Sequence, residues 1–381
     1  MIYLDHNATT PVAPAVLEAM EPFWRGHFAN PSSSSMLARP IRRALGQARE
    51  ECAAFLGCAP EELIFTSGGT ESLNTALHSV TSQQPGRRHL IMGSTEHEAV
   101  LQPASWLEQA QGYQITRLPV DADGLWSLAD LAAAIRPGET AAICLMWANN
   151  ETGVLHPIPE AAAIAAAHGI PLITDAVQAA GKIPLNLRES GVSYAAFSGH
   201  KFNAPKGIGL LYMARNTAFQ PWFLGGAQEN RRRAGTENIA GIVGIGAAAR
   251  LAGEHLTHAS LATLRDCFEQ QILQCIPGTH RNGHATQRVP NTTSLRFDGC
   301  HAEGLLLLLD QRGICASAGS ACTTGSLHPS HVLTAMGLDP AAARSSLRFS
   351  FGLSTSQEDL ERVIHALAQS VSKFRSLGTA G

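Results

Sequence analysis

Short apolar runs recur through much of the chain, and each is followed by a small or polar turn and then by sequence with helical character. The runs lie within ELIFTSGG, RHLIMGSTEH, AAICLMWANN, IPLITDAVQ, YAAFSGHK and GIGLLYM. Near-continuous apolar strands that alternate with helices are typical of a mainly parallel sheet covered on both faces. The pattern therefore predicts a large α/β domain over residues 16–255.

The last third of the chain has a different pattern. It combines an amphipathic helix around LATLRDCFEQQIL, short strands at NTTSLRF and SLRFSFG, and a final helix from SQEDLERVIHAL. We expect residues 256–381, together with residues 1–15, to form a smaller α+β domain.

Composition narrows the class of protein. A chain of 381 residues that is 45% hydrophobic and 15% charged fits a compact soluble enzyme. The net charge of −3, without any run rich in Lys or Arg, argues against nucleic acid as a partner. The apolar runs are shorter than the roughly 20 residues of a membrane span, and MIYLDHNATTPVAP does not resemble a signal peptide. We therefore expect a cytoplasmic protein that does not bind membranes.

The eight cysteines contain no CxxC pair, so neither a zinc ribbon nor a thioredoxin-like motif is expected. In a reducing compartment most of them should be free thiols. Two stand seven positions apart in CASAGSACTTGSLHPSHVL, Cys315 and Cys322. Too few ligands lie near this pair for a metal clip, so no metal is expected to serve in catalysis.

Polar residues gather at or just after the ends of the predicted strands. In open parallel sheets, ligands bind outside the carboxyl ends of the strands. One edge of the sheet should therefore bring together Thr66, Ser67, His97, Asn149, Asn150, Asp175, Gln178, Ser198, His200 and Lys201.

The segment TSGGTES, residues 66–72, follows a strand and opens a helix. Its glycines let a ligand approach the backbone, and the first-turn amides with the helix dipole favour an anion such as phosphate. Taken alone, it is equally well explained as a Gly-rich turn with a good helix start. It lacks the lysine of a Walker loop and the spacing of a dinucleotide fingerprint, which disfavours ATP and NAD.

A lysine and an aspartate complete the candidate chemistry. Lys201 in SGHKFNAPKGIG lies just past a strand, where a Schiff-base role is plausible, although most lysines are ordinary surface charges. Asp175 in TDAVQ ends a buried strand, where a carboxylate needs a cationic or hydrogen-bonded partner such as a pyridinium nitrogen. Phosphate site, lysine and aspartate together indicate pyridoxal 5'-phosphate better than any one of them alone.

Nine ordered motifs carry a resemblance that extends over almost the full chain. They are YLDHNATTP, FTSGGTES, STEHEAV, NNETG, DAVQ, SGHKFNAPKGIG, RRAGTEN, SAGSACTTGSLHPSHVL and SLRFSFG. With them the chain resembles the cysteine desulfurases of the NifS/IscS type, within the class V aminotransferase group. The resemblance implies the fold-type I architecture of pyridoxal-phosphate enzymes, with a large, mainly parallel seven-stranded sheet and a smaller α+β domain.

The resemblance also implies a role for each matching position. Lys201 would form the Schiff base, Asp175 would pair with the pyridine nitrogen, and Gln178 would hydrogen-bond the phenolic oxygen. His97 would stack on the ring and transfer protons. The remaining positions are the phosphate ligands Gly69, Thr70, Ser198 and His200; Thr236, which would reach the phosphate from the neighbouring subunit of a homodimer; Asn150, near the cofactor oxygen and substrate; and Arg348, which would clamp the substrate carboxylate.

The implied reaction removes sulfur from L-cysteine, giving L-alanine and a cysteine persulfide on the enzyme. Cys322 fits the nucleophile because glycine and small polar neighbours lower the cost of moving it. Cys315 follows an apolar pair at a predicted strand end, so we interpret it as structural. The expected acceptor is an iron-sulfur scaffold protein, with Cys322 a candidate transient iron-sulfur ligand. ENRRRAGTENIAG and CTTGSLHPSHVL resemble the nitrogen-fixation branch more than the housekeeping branch, and both assignments stay open.

Three alternatives to a desulfurase remain open: an aminotransferase or kynureninase-like lyase, a selenocysteine lyase and a non-catalytic scaffold. The chain also departs from the family pattern at His6, where Asn or Tyr is frequent, at Ala204, where Gly is usual, and at His328, where an acidic residue is frequent. None of these departures removes a chemical group from the implied mechanism.

Overall fold

The computed structural model describes residues 1–254, 259–319 and 329–378. The strands are β1 (Ile2–Tyr3), β2 (Leu63–Thr66), β3 (His89–Gly93), β4 (Gln114–Leu118), β5 (Thr140–Met146), β6 (Leu172–Asp175), β7 (Tyr194–Ser198), β8 (Gly209–Met213), β9 (Thr279–Asn282), β10 (Thr292–Phe297), β11 (Ile314–Cys315) and β12 (Ser346–Ser350).

The helices alternate with the strands over much of the chain. They are α1 (Pro14–Arg25), α2 (Arg39–Leu56), α3 (Gly69–Gln83), α4 (Glu98–Gln111), α5 (Leu128–Ala134), α6 (Ile158–Ala167), α7 (Leu187–Ser190), α8 (Gln228–Arg231), α9 (Ile239–Glu254), α10 (Ala259–Cys275), α11 (Ala302–Asp310), α12 (His331–Ala335), α13 (Pro340–Arg344) and α14 (Gln357–Gly378). The turn α8 is irregular, because Glu229 and Asn230 have left-handed backbone angles. None of the helices within the described ranges is long and apolar enough to cross a bilayer.

A seven-stranded sheet in the order β2-β8-β7-β6-β5-β3-β4 forms the centre of the fold. The run β4-β3-β5-β6-β7 is parallel, whereas β8 is antiparallel to both of its neighbours. The prediction of a mainly parallel sheet is confirmed. Because β8 runs backwards, its first residue, Gly209, pairs with the last residues of β2 and β7, Thr66 and Ser198. The edge that carries the polar strand ends is therefore continuous across the antiparallel strand.

Apolar residues from helices and strands pack on both faces of this sheet. A separate cluster joins the antiparallel sheet β12-β10-β9 to α10, α11 and α14. Ile2 and Leu4 belong to that separate cluster, and β1 pairs in parallel with β11. These contacts support the predicted grouping of the first residues with residues 256–381, but the domain boundary itself stays a prediction.

Helices α2 and α9 pack with their backbones unusually close. A Cβ atom added at Gly246 of α9 would lie 2.6 Å from the Cα atom of Ala48 in α2. Real Cβ atoms do not approach backbone atoms so closely, and a backbone cannot turn away as a flexible side chain can. The two helices can therefore pack at this distance only with glycine at position 246.

We expect Gly246→Ala to lower the free energy of unfolding by about 1–3 kcal/mol, because the added methyl group forces the two helices apart. Urea denaturation measures the effect. Gly46→Ala in α2 is the matched control, since a Cβ atom there would meet nothing within 4 Å. The control should gain about 0.5–1 kcal/mol from helix propensity. Equal losses in both variants would contradict the packing argument.

Candidate active site

Lys201 lies in a single turn of 3-10 helix, Gly199–Lys201, directly after β7. Its Nζ atom donates hydrogen bonds to the backbone carbonyls of Asn7, at 2.7 Å, and Ala8, at 2.8 Å. The N-terminal segment therefore crosses the strand-end edge of the sheet and is bonded there by the predicted Schiff-base lysine.

Asp175 is the last residue of β6, the strand beside β7. Its side chain is buried, and Oδ1 accepts a hydrogen bond from the Val177 amide at 2.9 Å. Burial raises the pKa of the carboxyl group, whereas the charges of His97 and Lys201 lower it. Within the described part of the chain, Oδ2 makes no hydrogen bond, so a cationic ligand would satisfy this carboxylate.

Helix α3 starts at Gly69 beside the end of β7. A Cβ atom added at Gly68 would lie in ordinary contact with the Ser198 hydroxyl, at 3.5 Å, so the start of the helix and this serine are neighbours. The first-turn amides of a helix have no partner within the helix, and they favour an anion. The site therefore fits a phosphate group held by the start of α3, at Gly69 and Thr70, and by Ser198.

His200 follows Ser198 and packs beside the N-terminal segment. Its Nδ1 atom lies 3.1 Å from the Thr9 hydroxyl. Burial, together with the charges of Lys201 and Lys206, lowers the pKa of His200 to about 4. At neutral pH the imidazole is uncharged and has one N–H group to donate.

His97 and Gln178 also have defined hydrogen-bond orientations. His97 precedes α4, and its Nδ1 atom accepts a bond from the Ala99 amide at 3.1 Å. The neutral imidazole must therefore carry its proton on Nε2. Gln178 donates from Nε2 to the Asn7 carbonyl at 2.9 Å, and its Oε1 accepts from Lys182.

Arg348 in β12 is 1% exposed. Its Nη2 atom lies 2.6 Å from Asp5 Oδ1, and Nη1 donates to the Asn150 carbonyl at 2.9 Å. The Nε atom is buried and has no partner among the described residues. A planar guanidinium held at two nitrogens with a further donor unused is suited to a small carboxylate.

Two predicted positions, Asn150 and Thr236, have no side-chain hydrogen bond at this edge within the described chain. Asn150 contributes its backbone carbonyl, to Asn7 and Arg348, and Thr236 is exposed. Cys322 lies outside the described residues, as does His328. Of the other two departures, His6 is buried against Gly352 and Ala204 is fully buried. Cys315, which was predicted at a strand end, does end β11.

Several residues of the site were missed by sequence reasoning. They are Asp5, Asn7, Glu96, Glu151 and Lys182. The first four lie inside motifs that were quoted for the resemblance, and Lys182 follows Gln178 by four positions. A charged residue directly beside an apolar strand is a signal that could have identified Glu96, because burial there requires neutralisation or a partner.

Two buried carboxyl groups border the site. Glu96 accepts from the Met146 amide at 2.8 Å through Oε1, while Oε2 has no partner in the described chain. Burial, with Asp175 nearby, raises the pKa of Glu96 well above its usual range. Glu151 accepts from Ser330 at 2.5 Å, and burial raises its pKa too, although His331, Arg348 and His97 oppose the effect.

Comparisons with known proteins agree with this geometry. The family model described as aminotransferase class V matches residues 2–363. A cysteine desulfurase of Trichormus azollae is 46% identical over 99% of this chain and 94% of its own length. A solved structure described as a NifS-like protein has a TM-score of 0.91 at 33% identity, covering 97% of this chain and 99% of its own. A second, described as SspA in complex with cysteine, has a TM-score of 0.81 at 36% identity, covering 92% and 99%.

The family model and the fold show that the chain belongs to the class V aminotransferases. Within it the chain belongs with the cysteine desulfurases, which makes it an enzyme of that type. The resemblance in the nine motifs is thereby confirmed.

We expect Glu96→Gln to stabilise the protein by an amount that grows with pH. The folded state binds the Glu96 proton more tightly than the unfolded chain does. The free energy of unfolding therefore falls as the pH rises from the unfolded pKa of this group toward its folded pKa. Glutamine copies the protonated form and removes that loss, which is at most about 1.4 kcal/mol per pH unit.

Urea denaturation at pH 5 and pH 8 tests this expectation. Glu98→Gln, at the less buried start of α4, is the matched control and should show no such pH-dependent gain. A difference between Glu96→Gln and the parent protein that is the same at both pH values would contradict a raised pKa of Glu96 in the folded protein.

Proposed function

We propose that this enzyme uses pyridoxal 5'-phosphate to remove sulfur from L-cysteine, releasing L-alanine and leaving a persulfide on Cys322. The observation that carries the proposal is the placement of Lys201 and the buried Asp175 on adjacent strand ends, beside the open N-terminus of α3. A lysine amine, a buried carboxylate and an anion site match the aldehyde, the pyridinium and the phosphate of this one cofactor.

The residues that would hold the cofactor follow from this match. Lys201 would bind it covalently, Asp175 would pair with the ring nitrogen, and Gln178 would donate to the phenolic oxygen. When bound, the cofactor supplies an electron sink for charge that develops on the substrate. The other ligands in the proposal are His97 against the ring, Asn150 near its oxygen, Gly69, Thr70, Ser198 and His200 at the phosphate, and Thr236 from the second subunit of a homodimer.

Proton transfer falls to His97 and Lys201. The Nδ1 atom of His97 is occupied by the Ala99 amide, so protons enter and leave the imidazole at Nε2. Lys201, just past the end of β7, would be the second group that takes up or releases a proton. Because His97 and Lys201 occupy separate positions, one of them can remove a proton from one substrate carbon while the other delivers a proton to a different atom.

Arg348 is the proposed partner of the substrate carboxylate. Its Nη1 and Nη2 atoms are held by Asn150 and Asp5, which fixes the plane of the guanidinium, and Nε lacks a partner in the described chain. A related protein solved with bound cysteine supports an amino-acid substrate of this size.

The sulfur is transferred to a thiolate, for which we propose Cys322. The thiolate attacks the substrate sulfur, an S–S bond forms, and the bond from sulfur to Cβ breaks. The electron pair stays with the three-carbon fragment, which takes up a proton and leaves as L-alanine. The persulfide sulfur then passes to an acceptor, proposed to be an iron-sulfur scaffold protein in the cytoplasm. Curated relatives named cysteine desulfurase support this use without separating nitrogenase-specific from housekeeping supply.

We expect Cys322→Ser to abolish the persulfide and L-alanine, while L-cysteine still changes the absorbance of the bound cofactor. The matched control is Cys315→Ser, at the end of β11, where burial raises the pKa of the thiol and so disfavours the thiolate. The control should keep activity. Peptide mass analysis after incubation with L-cysteine without reductant locates the sulfur, and full L-alanine production by Cys322→Ser would exclude this nucleophile.

Selenocysteine lyase is the remaining alternative, and the same pair of variants addresses it. Activity on L-selenocysteine that survives Cys322→Ser, beside little activity of the parent enzyme on L-cysteine, would replace the proposal with that alternative.

We expect Arg348→Lys to raise KM for L-cysteine about tenfold or more, because an ammonium group cannot reproduce a planar fork. The absorbance of the bound cofactor before substrate is added should not change. Arg296→Lys, at a partly exposed position of the neighbouring strand β10, is the control and should leave KM unchanged. A KM that rises equally in both variants would argue against a substrate contact at Arg348.

A further inference from the structure

Lys182 is a buried lysine that has no part in the reaction proposed above. It is 6% exposed and lines a cleft of about 700 Å³ together with Lys201 and His6. Its Nζ atom donates to the side-chain oxygens of Gln178 and, at 3.0 Å, of Asn7. No carboxylate within the described ranges forms an ion pair with it. Burying a lysine in this way is costly unless its hydrogen bonds do something that an apolar side chain could not.

The bond to Gln178 determines how that amide faces. A lysine amine bonded to Oε1 keeps the oxygen on its own side, because a turned amide would place two donor groups against each other. The Nε2 group of Gln178 therefore points away from Lys182, where one of its N–H groups donates to the Asn7 carbonyl at 2.9 Å. The second N–H group has no partner in the described part of the chain and remains available to a ligand.

The bond to Asn7 connects Lys182 to Lys201. The carbonyl of Asn7 accepts from Lys201 at 2.7 Å, while its side-chain oxygen accepts from Lys182. The side-chain amide nitrogen of Asn7 donates to Thr292 at 2.9 Å and to the Asn150 carbonyl at 3.1 Å. Lys182 thus holds the residue to which the proposed Schiff-base nitrogen is bonded.

We propose that Lys182 is a positioning residue, which acts through Gln178 and Asn7 to set the protonation of the link between Lys201 and the cofactor. This inference rests on the proposed function. The second N–H group of Gln178 would stabilise negative charge on the cofactor oxygen beside the Lys201 nitrogen. With less stabilisation, that oxygen would hold the neighbouring proton more tightly.

The electrostatic surroundings of Lys182 agree with this role. Burial lowers the pKa of Lys182 well below its usual range, and the charges of Lys201 and Arg348 lower it further. His6, whose pKa is lowered to about 4 by burial and by Lys182, adds no charge at neutral pH. Asp175 provides the negative charge that acts on Lys201.

The test is a pH titration of the cofactor absorbance in the loaded enzyme, compared between Lys182→Met and the parent. We expect the midpoint of Lys182→Met to move upward by about one pH unit, the size of one lost hydrogen bond to a charged oxygen. Lys206→Met is the matched control, because Lys206 is exposed and follows Lys201 by five positions. Its midpoint should not move.

Thermal unfolding is measured alongside, because a purely structural lysine would lower the melting temperature and leave the midpoint in place. That result, or an equal shift in Lys206→Met, would overturn the inference. Should Lys182→Met fail to fold, Lys182→Gln keeps a neutral donor in a shorter side chain and should show a smaller upward shift; an unchanged midpoint there would equally overturn it. A parent protein that shows no cofactor absorbance would instead refute the proposed function.

Discussion

The backbone carbonyl of Asn7 accepts hydrogen bonds from both Lys201 and Gln178, and the rest of the site depends on this double contact. It places the N-terminal segment across the carboxyl ends of β6 and β7. From there Asn7 also bonds Thr292, in the antiparallel sheet. The two sheets are therefore joined at the site itself. A change in their relative position would change the geometry of the candidate cofactor pocket.

Charge at this edge is controlled by burial as much as by pairing. Asp175, Glu96 and Glu151 are carboxyl groups whose pKa values burial raises, and Lys182 is an amine whose pKa burial lowers. Burial therefore disfavours unpaired charges of either sign near Lys201. Those that remain can then be balanced against a charged cofactor and an amino-acid substrate, where uncompensated charge would be expensive.

The sequence predicted the architecture well because the apolar runs of β3, β5, β6 and β7 have the length and continuity of buried parallel strands. It placed Asp175 and Lys201 together because adjacent parallel strands end on the same edge. The reversed direction of β8 was not predicted, since an apolar run carries no sign of its direction. Asn7 and Lys182 were not predicted either. They form a hydrogen bond with each other but lie 175 positions apart in the chain, so only the folded structure brings them together.

The bond between Asp5 and Arg348 joins residues separated by 343 positions. Contacts at such separation form slowly, since the entropy of closing the intervening chain is lost before they contribute stability. During synthesis, the segment around Asp5 and Asn7 leaves the ribosome well before its partners in β10 and β12, which lie about 285 to 343 positions later. The active site should thus be incomplete until β12 has been made, so a chain that ends before β12 lacks the arginine proposed to bind the substrate.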